Sequence, residues 1–463
     1  MPLLWVAPLS LYLLTFILCF AGCYPRWTCI IAMLLLTSYL ALDEGGGVAW
    51  LAEQLDVEVI EVSGVPDNFL AALLTYLLTM TVCCMVCHGE LVRLQPPPAG
   101  LTSYYLHLSL GGALGGVAVA VGGPLLLNGY YELPLGMLLC WTLLLVVLYH
   151  DPACRWYAGQ ARWTWSLTLL IYATFALGLG YQLLKPTSGR VAVSRSFYGV
   201  LEVYEEDVED EDGHHFELVH GLIMHGKQYT RQDKRRWPTT YYGEQSGVGL
   251  AMHYTADRPH RRVGVVGLGT GSLAVYGTAG DDFRFYEIDS EVVAFCRQYF
   301  TYLDDLQSQG ARLDIILGDA RVSLEREAER GDRQNFDLIV LDAFSSDAIP
   351  AHLLTLEAFA CYLDHLRDEP GRQGLLAVHI SNRYLDLLPV LQSAARHYHL
   401  TIAQVQSEED DQLHLSEADW VLVSRPGGLD VLLDQEASAE PVPGTGDQPV
   451  WTDDYTNLWS VLE

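Results

Sequence analysis

The chain has 463 residues, half of them hydrophobic, yet its formal net charge is −30. A mean hydropathy of +0.17 in so acidic a protein indicates that apolar and charged residues occupy different parts of the chain. Residues 1–184 carry only 4 Lys and Arg against 10 Asp and Glu, which leaves 23 and 47 for residues 185–463. This acidic balance argues against binding to nucleic-acid phosphates, which requires clustered Lys and Arg.

The first 184 residues contain six apolar stretches that approach or reach the roughly 20 helical residues needed to cross a bilayer core. They are approximately Leu3–Ala21, Trp27–Leu42, Phe69–Cys87, Tyr104–Leu127, Leu133–Tyr149 and Trp163–Leu184. We predict a transmembrane domain of about six helices over residues 1–184, within a range of five to seven spans. The first stretch lacks the basic n-region of a signal peptide, so we interpret it as a retained helix.

Charged residues are missing from the centres of these spans, which argues against an ion- or proton-coupled pump. Glu90 and Glu132 lie at span ends, where we expect them to be solvated. The glycine-dense run 110–117 predicts close helix packing, with a kinked helix lining a cavity as the alternative. The cysteines of Cys83-Cys-Met-Val-Cys87 are interpreted as small apolar filler rather than as a metal site.

After the last apolar stretch the chain becomes amphipathic and strand-like. Residues 196–203 and 216–224 flank an acidic run, 205–212. A run this acidic cannot pair inside a sheet, so we interpret it as a solvated hairpin loop. These segments predict a small antiparallel β unit over residues 190–258.

Residues 259–430 alternate between strand-like and helix-like segments, which predicts a doubly wound α/β domain of the Rossmann type with a mainly parallel sheet. The predicted strands are Val263–Gly267, Phe283–Ile288, Asp314–Leu317, Leu338–Asp342, Leu375–Ile380, Ile402–Val405 and Trp420–Val423. The predicted helices are at about 271–279, 290–303, 321–330, 352–367 and 384–397. Residues 431–463 are interpreted as a loose connector and a C-terminal tail.

The first of these strands is followed by closely spaced glycines, Gly267-Leu-Gly269-Thr-Gly271. Glycines let the backbone approach a ligand, and we expect the N-terminus of the next helix to face it. The dinucleotide fingerprint needs a glycine where this chain has Ser272, so the motif suits a sulfonium nucleoside, which has no pyrophosphate. An ordinary tight turn is the alternative.

Polar residues also end the next two strands. Glu287 is placed to accept both ribose hydroxyls, and Asp289 is expected to cap the following helix. At the third strand end, Asp319 could accept from an adenine amino group, with Ala320 beside it. Because these signals follow the glycines at the spacing of one β-α-β-α-β unit, together they predict adenosyl binding.

These motifs and the residues after the fourth strand resemble the spermidine synthase family of polyamine aminopropyltransferases, which have a class I adenosylmethionine-binding Rossmann fold. The matching residues are Val263–Gly271, Glu287–Asp289, Gly318–Asp319 and Asp342, Asp347 and Pro350. The apolar front half and several further segments resemble the membrane-fused spermidine synthase-like proteins of bacteria. Those segments are Phe197–Gly199, Val219–Gly221, His225–Gly226, Pro238–Gly243, His379–Tyr384 and Trp451–Asn457.

The resemblance implies transfer of an aminopropyl group from decarboxylated S-adenosylmethionine to a diamine such as putrescine. The attacking amine must be neutral, so a carboxylate or phenol has to take its proton. Asp342 and Asp347 are the candidate catalytic carboxylates. The candidate substrate contacts are Tyr241, Tyr242, His225 and His379. A purely structural His379 is the alternative at that position.

Two departures from the family pattern leave alternatives open. One extra residue between Asp342 and Pro350 leaves undecided whether Ser345 or Asp347 occupies the catalytic position. His220 stands where the family has an aspartate, so one acidic amine contact is missing. An S-adenosylmethionine-dependent methyltransferase therefore stays open. So does a membrane transporter or sensor with a non-catalytic nucleoside- or polyamine-binding domain.

The expected partners are the lipid bilayer and a small cationic polyamine, with a homodimer as a possible assembly and no nucleic acid. No metal is expected, because the five-residue spacing of His215, His220 and His225 fits neither a strand face nor a helical zinc pair. Arg and Lys near the spans do not decide the orientation. We expect a multi-pass inner-membrane protein with its catalytic domain in the cytoplasm, where the donor is made. Asp453 and Asp454 either fold over the site or form a polar turn.

Overall fold

The computed structural model describes most of the chain and divides it into two compact units, Met1–Thr187 and Ser188–Glu463. The described residues are 5–43, 69–154, 157–159, 162–184, 187–221, 223–344, 349–382, 385–410, 414–436, 438–442 and 449–461. Every candidate site residue belongs to the second unit, and of these Asp347 and its alternative Ser345 lie outside the described residues.

The first unit is built from helices, and each of the six apolar stretches forms one. They are α1 (Val6–Phe20), α2 (Arg26–Asp43), α3 (Phe69–Arg93), α4 (Leu101–Val117), α5 (Glu132–His150) and α6 (Arg162–Leu184). A π-helical turn, Ala118–Gly122, follows α4, and one more α-helical turn, Gly123–Leu126, follows that. The helices α3 to α6 are long and apolar enough to cross a membrane, whereas α1 and α2 are shorter apolar helices.

The prediction that Glu90 is solvated is wrong, because the structure buries this side chain in an ion-pair network. Its carboxylate accepts hydrogen bonds from Arg26 Nε at 2.7 Å and from the Tyr24 hydroxyl at 2.9 Å. Asp151 accepts from Arg26 at 2.6 Å and from Arg93 at 2.9 Å. The partners come from segments far apart in the chain, so a position at a helix end does not reveal them.

The glycine run of α4 is not packed against another helix in the described part of the chain. A Cβ atom added to Gly111, Gly112, Gly115 or Gly116 would meet nothing within 4 Å. The predicted close packing is therefore not made inside this unit. The cysteines of α3 lie among helices, and Cys87 Sγ is 3.8 Å from Cys140 Sγ of α5.

The second unit begins with a four-stranded antiparallel sheet in the order β1-β2-β3-β4. Its strands are β1 (Arg190–Ser196), β2 (Gly199–Glu206), β3 (His215–His220) and β4 (Ile223–Tyr229). The acidic run starts inside β2, where Glu206 pairs with His215, and continues into the exposed turn between β2 and β3. The apolar side chains of this sheet, Leu201, Val203 and Leu218, pack against two phenylalanines of the following domain.

The larger sheet has eight strands in the order β14-β12-β13-β11-β8-β5-β6-β7. They are β5 (Arg262–Val266), β6 (Asp282–Glu287), β7 (Arg312–Leu317), β8 (Leu338–Leu341), β11 (Leu375–His379), β12 (Thr401–Ser407), β13 (Ala418–Ser424) and β14 (Ala439–Pro441). A separate two-stranded ribbon pairs β9 (Asp368–Glu369) with β10 (Arg372–Gln373). Five adjacent strands of this sheet are parallel to one another, namely β7, β6, β5, β8 and β11. The strands β13 and β14 run antiparallel to their neighbours. The sheet is therefore mixed, and one of its edge strands lies in the connector predicted to be loose.

Helices cover both faces of this sheet, so strands such as β5 and β8 are buried on both sides. The helices are α7 (Gly247–Thr255), α8 (Ser290–Tyr299), α9 (Tyr302–Ser308), α10 (Ala320–Glu329), α11 (Leu356–His365), α12 (Leu388–Tyr398) and α13 (Asp430–Gln435). The helix predicted directly after the glycines is only a 3-10 turn, Ser272–Tyr276. The expectation that an α-helix N-terminus faces the ligand there is wrong.

The C-terminal tail is attached to the domain by an ion pair. Arg321 of α10 donates to both carboxylate oxygens of Asp453, at 2.6 and 2.5 Å. The Thr355 hydroxyl donates to the same carboxylate at 2.8 Å. Trp451, two residues earlier, is fully buried. Asp453 therefore fixes the tail against α10 and is not among the residues that line the cavity described below.

Candidate active site

A cavity opens at the carboxyl ends of β5, β6, β7 and β8, where a doubly wound sheet places its ligand. It holds about 900 Å³ of empty space, including its open mouth. The candidate residues that line it are Gly267, Gly269, Glu287, Asp319, Ala320, Asp342, Tyr241, Tyr242 and His225. Gly271 and His379 are placed behind this lining, so the structure brings most of the candidates together around one space.

The glycines after β5 are needed because the backbone turns through left-handed conformations close to other chain segments. Gly267 has a φ of +96°, and a Cβ there would be 2.3 Å from the carbonyl oxygen of Asp342. A Cβ on Gly269 would be 3.0 Å from the carbonyl oxygen of His225. Gly271 instead packs towards Leu303. The first two glycines therefore shape the cavity wall, while the third allows packing behind it.

Glu287 is buried at the end of β6 and is held by the backbone around it. Its two oxygens accept hydrogen bonds from the N–H groups of Leu268 and Asp289, each at 2.9 Å. Burial raises the pKa of Glu287 and these backbone bonds lower it. The carboxylate keeps lone pairs for ribose hydroxyls, because each of its oxygens can accept more than one hydrogen bond.

Asp289 fulfils the predicted capping role, because its side chain accepts from the N–H of Glu291 at 2.9 Å at the start of α8. Asp319 also caps a helix, accepting from Val322 N at 2.9 Å. Its other oxygen lies 2.9 Å from His352 Nε2, and this hydrogen bond lowers the pKa of Asp319. His352 thus lies at the end of the cavity where an adenine was expected.

The opposite end of the cavity contains a buried hydrogen-bonded cluster centred on Asp342, the residue after β8. The Tyr242 hydroxyl donates to Asp342 Oδ2 at 2.5 Å. Nδ1 of His379 lies 2.7 Å from Asp342 Oδ1. Both oxygens of the carboxylate are therefore engaged by neighbouring side chains, which fixes its orientation in the cavity.

His379 was a candidate substrate contact, but the structure places it behind Asp342. Its Nε2 lies 2.9 Å from the Ser381 hydroxyl oxygen, which accepts from the Asp419 N–H at 2.7 Å. With Nδ1 donating to Asp342, Nε2 accepts from Ser381. The ring stacks on Trp420, with ring centroids 4.4 Å apart and planes 10° from parallel. Both nitrogens are committed, so His379 orients the carboxylate instead of binding substrate.

The two tyrosines differ in their contacts. Tyr242 donates to Asp342, whereas the ring of Tyr241 lies between Tyr242 and His379, with centroid distances of 4.5 and 4.6 Å. Burial, followed by the negative charge of Asp342, raises the pKa of both phenols. Both therefore remain protonated at neutral pH, and Tyr242 keeps its proton on the side of the carboxylate.

Several cavity residues were not among the predicted site residues. Tyr198, His220 and His352 line the cavity together with Asp289. Tyr198 and His220 belong to segments that resemble the spermidine synthase-like proteins, and this resemblance was the sequence signal that could have identified them. Nothing in the sequence around His352 indicates a contact with Asp319, 33 residues away. That contact depends on the path of the loop after β8.

The charge of the cavity is strongly one-sided. Its described lining includes four carboxylates, those of Glu287, Asp289, Asp319 and Asp342, and three histidines. No Lys or Arg is among these described lining residues. The described lining therefore favours a cationic ligand in this space.

No family model matches the chain. Over 101 residues, it is 34% identical to a curated polyamine aminopropyltransferase of Vibrio vulnificus (strain CMCP6). The chain is thus similar to a polyamine aminopropyltransferase. The match covers 21% of this chain and 31% of that protein, so the chain matches less than a third of the relative's length.

The similarities of this chain to solved structures are weaker. A probable spermidine synthase from Corynebacterium glutamicum ATCC 13032 is 15% identical, with a TM-score of 0.38, and the match covers 59% of this chain and 99% of that one. An O-methyltransferase from Bacillus cereus in complex with SAH is 16% identical, with a TM-score of 0.28, and the match covers 38% of this chain and 79% of that one. Values this low decide neither the fold nor the reaction.

Proposed function

We propose that the second unit is an aminopropyltransferase that uses decarboxylated S-adenosylmethionine as donor and a polyamine-type amine as acceptor. The observation that carries this proposal is the Tyr242–Asp342–His379 cluster at one end of a cavity whose other end has the features of a nucleoside site. A buried, oriented carboxylate beside the bound sulfonium is what deprotonation of an attacking amine requires. The similarity to a polyamine aminopropyltransferase supports the same reaction class.

The donor fits the charges of the cavity. Decarboxylated S-adenosylmethionine carries a sulfonium and an ammonium but no carboxylate, and the described lining has four carboxylates and no Lys or Arg. S-adenosylmethionine would add a carboxylate for which the described lining residues offer no Lys or Arg partner. This difference favours the decarboxylated donor over the methyl donor, because an unpaired charge taken out of water is costly.

The reaction assigned to these residues is a single displacement. The neutral amine nitrogen attacks the carbon of the donor's aminopropyl arm that is bonded to sulfur. A C–N bond forms at this carbon, and its bond to sulfur breaks with the electron pair moving to sulfur. Methylthioadenosine leaves, and the new ammonium passes one proton to Asp342. Tyr242, protonated because its pKa is raised, orients Asp342 and can accept a hydrogen bond from the amine. The remaining demand is in-line positioning of the two reactants.

The test is product analysis with the full chain purified in detergent. Supplied with decarboxylated S-adenosylmethionine and putrescine, it should release methylthioadenosine together with an aminopropylated amine. Supplied with S-adenosylmethionine and candidate acceptors, it should form no S-adenosylhomocysteine. S-adenosylhomocysteine formation would establish the methyltransferase alternative. Tight nucleoside binding without either product would leave a non-catalytic binding domain.

The catalytic carboxylate is tested by replacing Asp342 and Asp347 separately with Asn. We expect Asp342→Asn to depress turnover more than nucleoside affinity. A larger loss in Asp347→Asn would move the base to that position, and unchanged turnover in both would contradict the assignment.

We further propose that the first unit anchors the enzyme in the inner membrane as a multi-pass domain, with the second unit in the cytoplasm. Four helices have the required length and apolarity, and the proposed donor is a cytoplasmic metabolite. A reporter active only in the cytoplasm, fused to the C-terminus, should be active. A reporter active only in the periplasm should be inactive at the same position, and the reverse pattern would contradict this orientation. A homodimer stays a proposal, and the mass of the detergent-solubilised chain tests it.

A further inference from the structure

His225 has a buried polar atom that no described protein group satisfies. It lies on β4, and its ring lines the cavity. Its Nε2 is buried and has no hydrogen-bond partner. The nearby His220, with ring centroids 5.7 Å apart, differs in that its Nε2 contacts the carbonyl oxygen of Tyr198 at 2.9 Å. Because an unsatisfied buried nitrogen is costly, a ligand in the cavity is the natural partner of His225.

The position of His225 indicates which part of a ligand it would meet. Its backbone lies against the glycine loop, 3.0 Å from where a Cβ of Gly269 would be, and the Tyr242 hydroxyl is 3.8 Å from the same point. Glu287 and Asp319 mark the nucleoside end of the cavity, and Asp342 marks the opposite end. A donor with its sulfur at the ribose end would have its three-carbon arm beside the glycine loop, near His225 and Tyr242.

The charge state of His225 suits a cationic arm. Burial and the neighbouring His220 lower the pKa of His225 to about 4, although Asp342 acts in the opposite direction. The ring is therefore neutral at physiological pH and does not repel a sulfonium. A neutral imidazole has one nitrogen that accepts a hydrogen bond, and Nε2 takes that role when the proton is on Nδ1.

We propose that His225 is a specificity residue for the three-carbon arm of the sulfonium donor, with Nε2 accepting a hydrogen bond from the terminal ammonium of that arm. This inference rests on the proposed donor. It goes beyond the proposed reaction because it assigns recognition of the arm to a neutral histidine. It also explains why the buried Nε2 has no partner among the described residues.

The experiment compares two ligands that differ in the arm and in the positive charge that the arm's third bond places on sulfur. Decarboxylated S-adenosylmethionine has the aminopropyl arm, whereas methylthioadenosine has the same nucleoside without it. Calorimetric dissociation constants are measured on the full chain in detergent for the wild type, His225→Leu and His225→Gln. His253→Leu is the matched control, because this exposed histidine of α7 is not among the lining residues.

We expect His225→Leu to weaken binding of decarboxylated S-adenosylmethionine by about 10- to 100-fold, the usual loss for a hydrogen bond to a charged group. Its affinity for methylthioadenosine should not change, and this binding also shows that the variant is folded. His225→Gln should recover most of the loss, since its amide oxygen can take the place of Nε2. His253→Leu should bind both ligands as the wild type does.

Two results would overturn the inference while leaving the proposed reaction intact. One is unchanged binding of the donor by His225→Leu. The other is an equal loss for both ligands, which would mean that His225 supports the nucleoside end or the fold. A wild-type chain that binds neither ligand would overturn the donor assignment and this inference together. If His225→Leu weakens binding of the donor alone and the wild type shows no turnover, the role of His225 in recognising the arm is supported and only the catalytic proposal is contradicted.

Discussion

The two ends of the cavity are built in different ways. At the nucleoside end, Glu287 is held by the backbone N–H groups of Leu268 and Asp289. At the acceptor end, Asp342 is held by two side chains, those of Tyr242, 100 residues earlier, and His379, 37 residues later. The first arrangement joins the ends of two consecutive parallel strands, β5 and β6, within about 20 residues. The second exists only after three separate segments have been brought together.

This difference separates binding from chemistry. Backbone donors fix the nucleoside end at low cost, because they are positioned by the sheet itself. The acceptor end depends on a chain of buried side chains, in which each group orients the next. Substitutions at the two ends should therefore affect different kinetic parameters, and the following predictions proceed from the largest expected effect to the smallest.

The largest effect is expected at the acceptor end. Asp342→Asn removes the proton acceptor, so kcat should fall by about 10²- to 10⁴-fold, the usual range for general-base catalysis. The dissociation constant of methylthioadenosine should change little, because the nucleoside end is intact. Asp368→Asn, an exposed aspartate of the β9–β10 ribbon, is the matched control. A loss confined to nucleoside affinity would abolish the proposed distinction between the ends.

The corresponding change at the nucleoside end is Glu287→Gln. The amide presents an N–H group where the carboxylate accepts from backbone N–H groups, so methylthioadenosine and the donor should both bind about 10-fold more weakly. At saturating donor, kcat should be largely retained. Direct binding measurements and initial rates provide the two values. A fall in kcat with unchanged affinity would show that Glu287 belongs to the chemistry.

A smaller effect is expected for the positioning residue His379. His379→Phe keeps a ring to stack on Trp420 but removes the donor to Asp342, so kcat should fall by about 10-fold, the loss of one charge-assisted hydrogen bond. The KM of the donor should not change, and the acidic limb of the pH profile should move to higher pH. His379→Gln should restore part of the rate through its amide donor. A changed stability with an unchanged pH profile would indicate a purely structural histidine.

The smallest effect is expected for the tail, which touches neither end of the cavity. Asp453→Asn should lower the free energy of unfolding by about 1 kcal/mol at neutral pH, because this carboxylate is partly exposed. Arg321 holds the pKa of Asp453 below its usual value, so the contribution is present above about pH 4 and is lost as the pH falls further. Denaturant unfolding of the wild type and of the exposed neighbour variant Asp454→Asn provides the comparison. A difference that persists in acid would contradict this origin.

Local patterns in the sequence predicted much of the fold. All seven strands predicted between residues 263 and 423 are present, each within two residues of its predicted ends. Alternating apolar segments identify such strands because both faces of a central sheet must be buried. The segment after the glycines was less predictable, because Ser272–Tyr276 forms a 3-10 turn where an α-helix was expected.

Contacts between distant side chains could not be predicted in this way. His352 contacts Asp319, and Glu90 is buried against Arg26 and Tyr24, yet neither partnership follows from the residues nearby. His379 was predicted as a substrate contact, whereas the partners of its two nitrogens, which only the structure gives, indicate that it positions Asp342. The predicted role of Asp347 is unresolved, since this residue lies outside the described part of the chain.

The sequence by itself determined the separation of an apolar front from an acidic back, most helical and strand segments, and the glycine turn and acidic strand end at one end of the cavity. Each of these depends on residues close together in the chain, through hydropathy, periodicity and a glycine turn. Only the tertiary structure decided that Tyr242, Asp342 and His379 form one hydrogen-bonded cluster. It also decided that His225 lines the same cavity with a buried nitrogen that has no hydrogen-bond partner among the described residues. Such contacts depend on three-dimensional distance, and sequence spacing does not encode it.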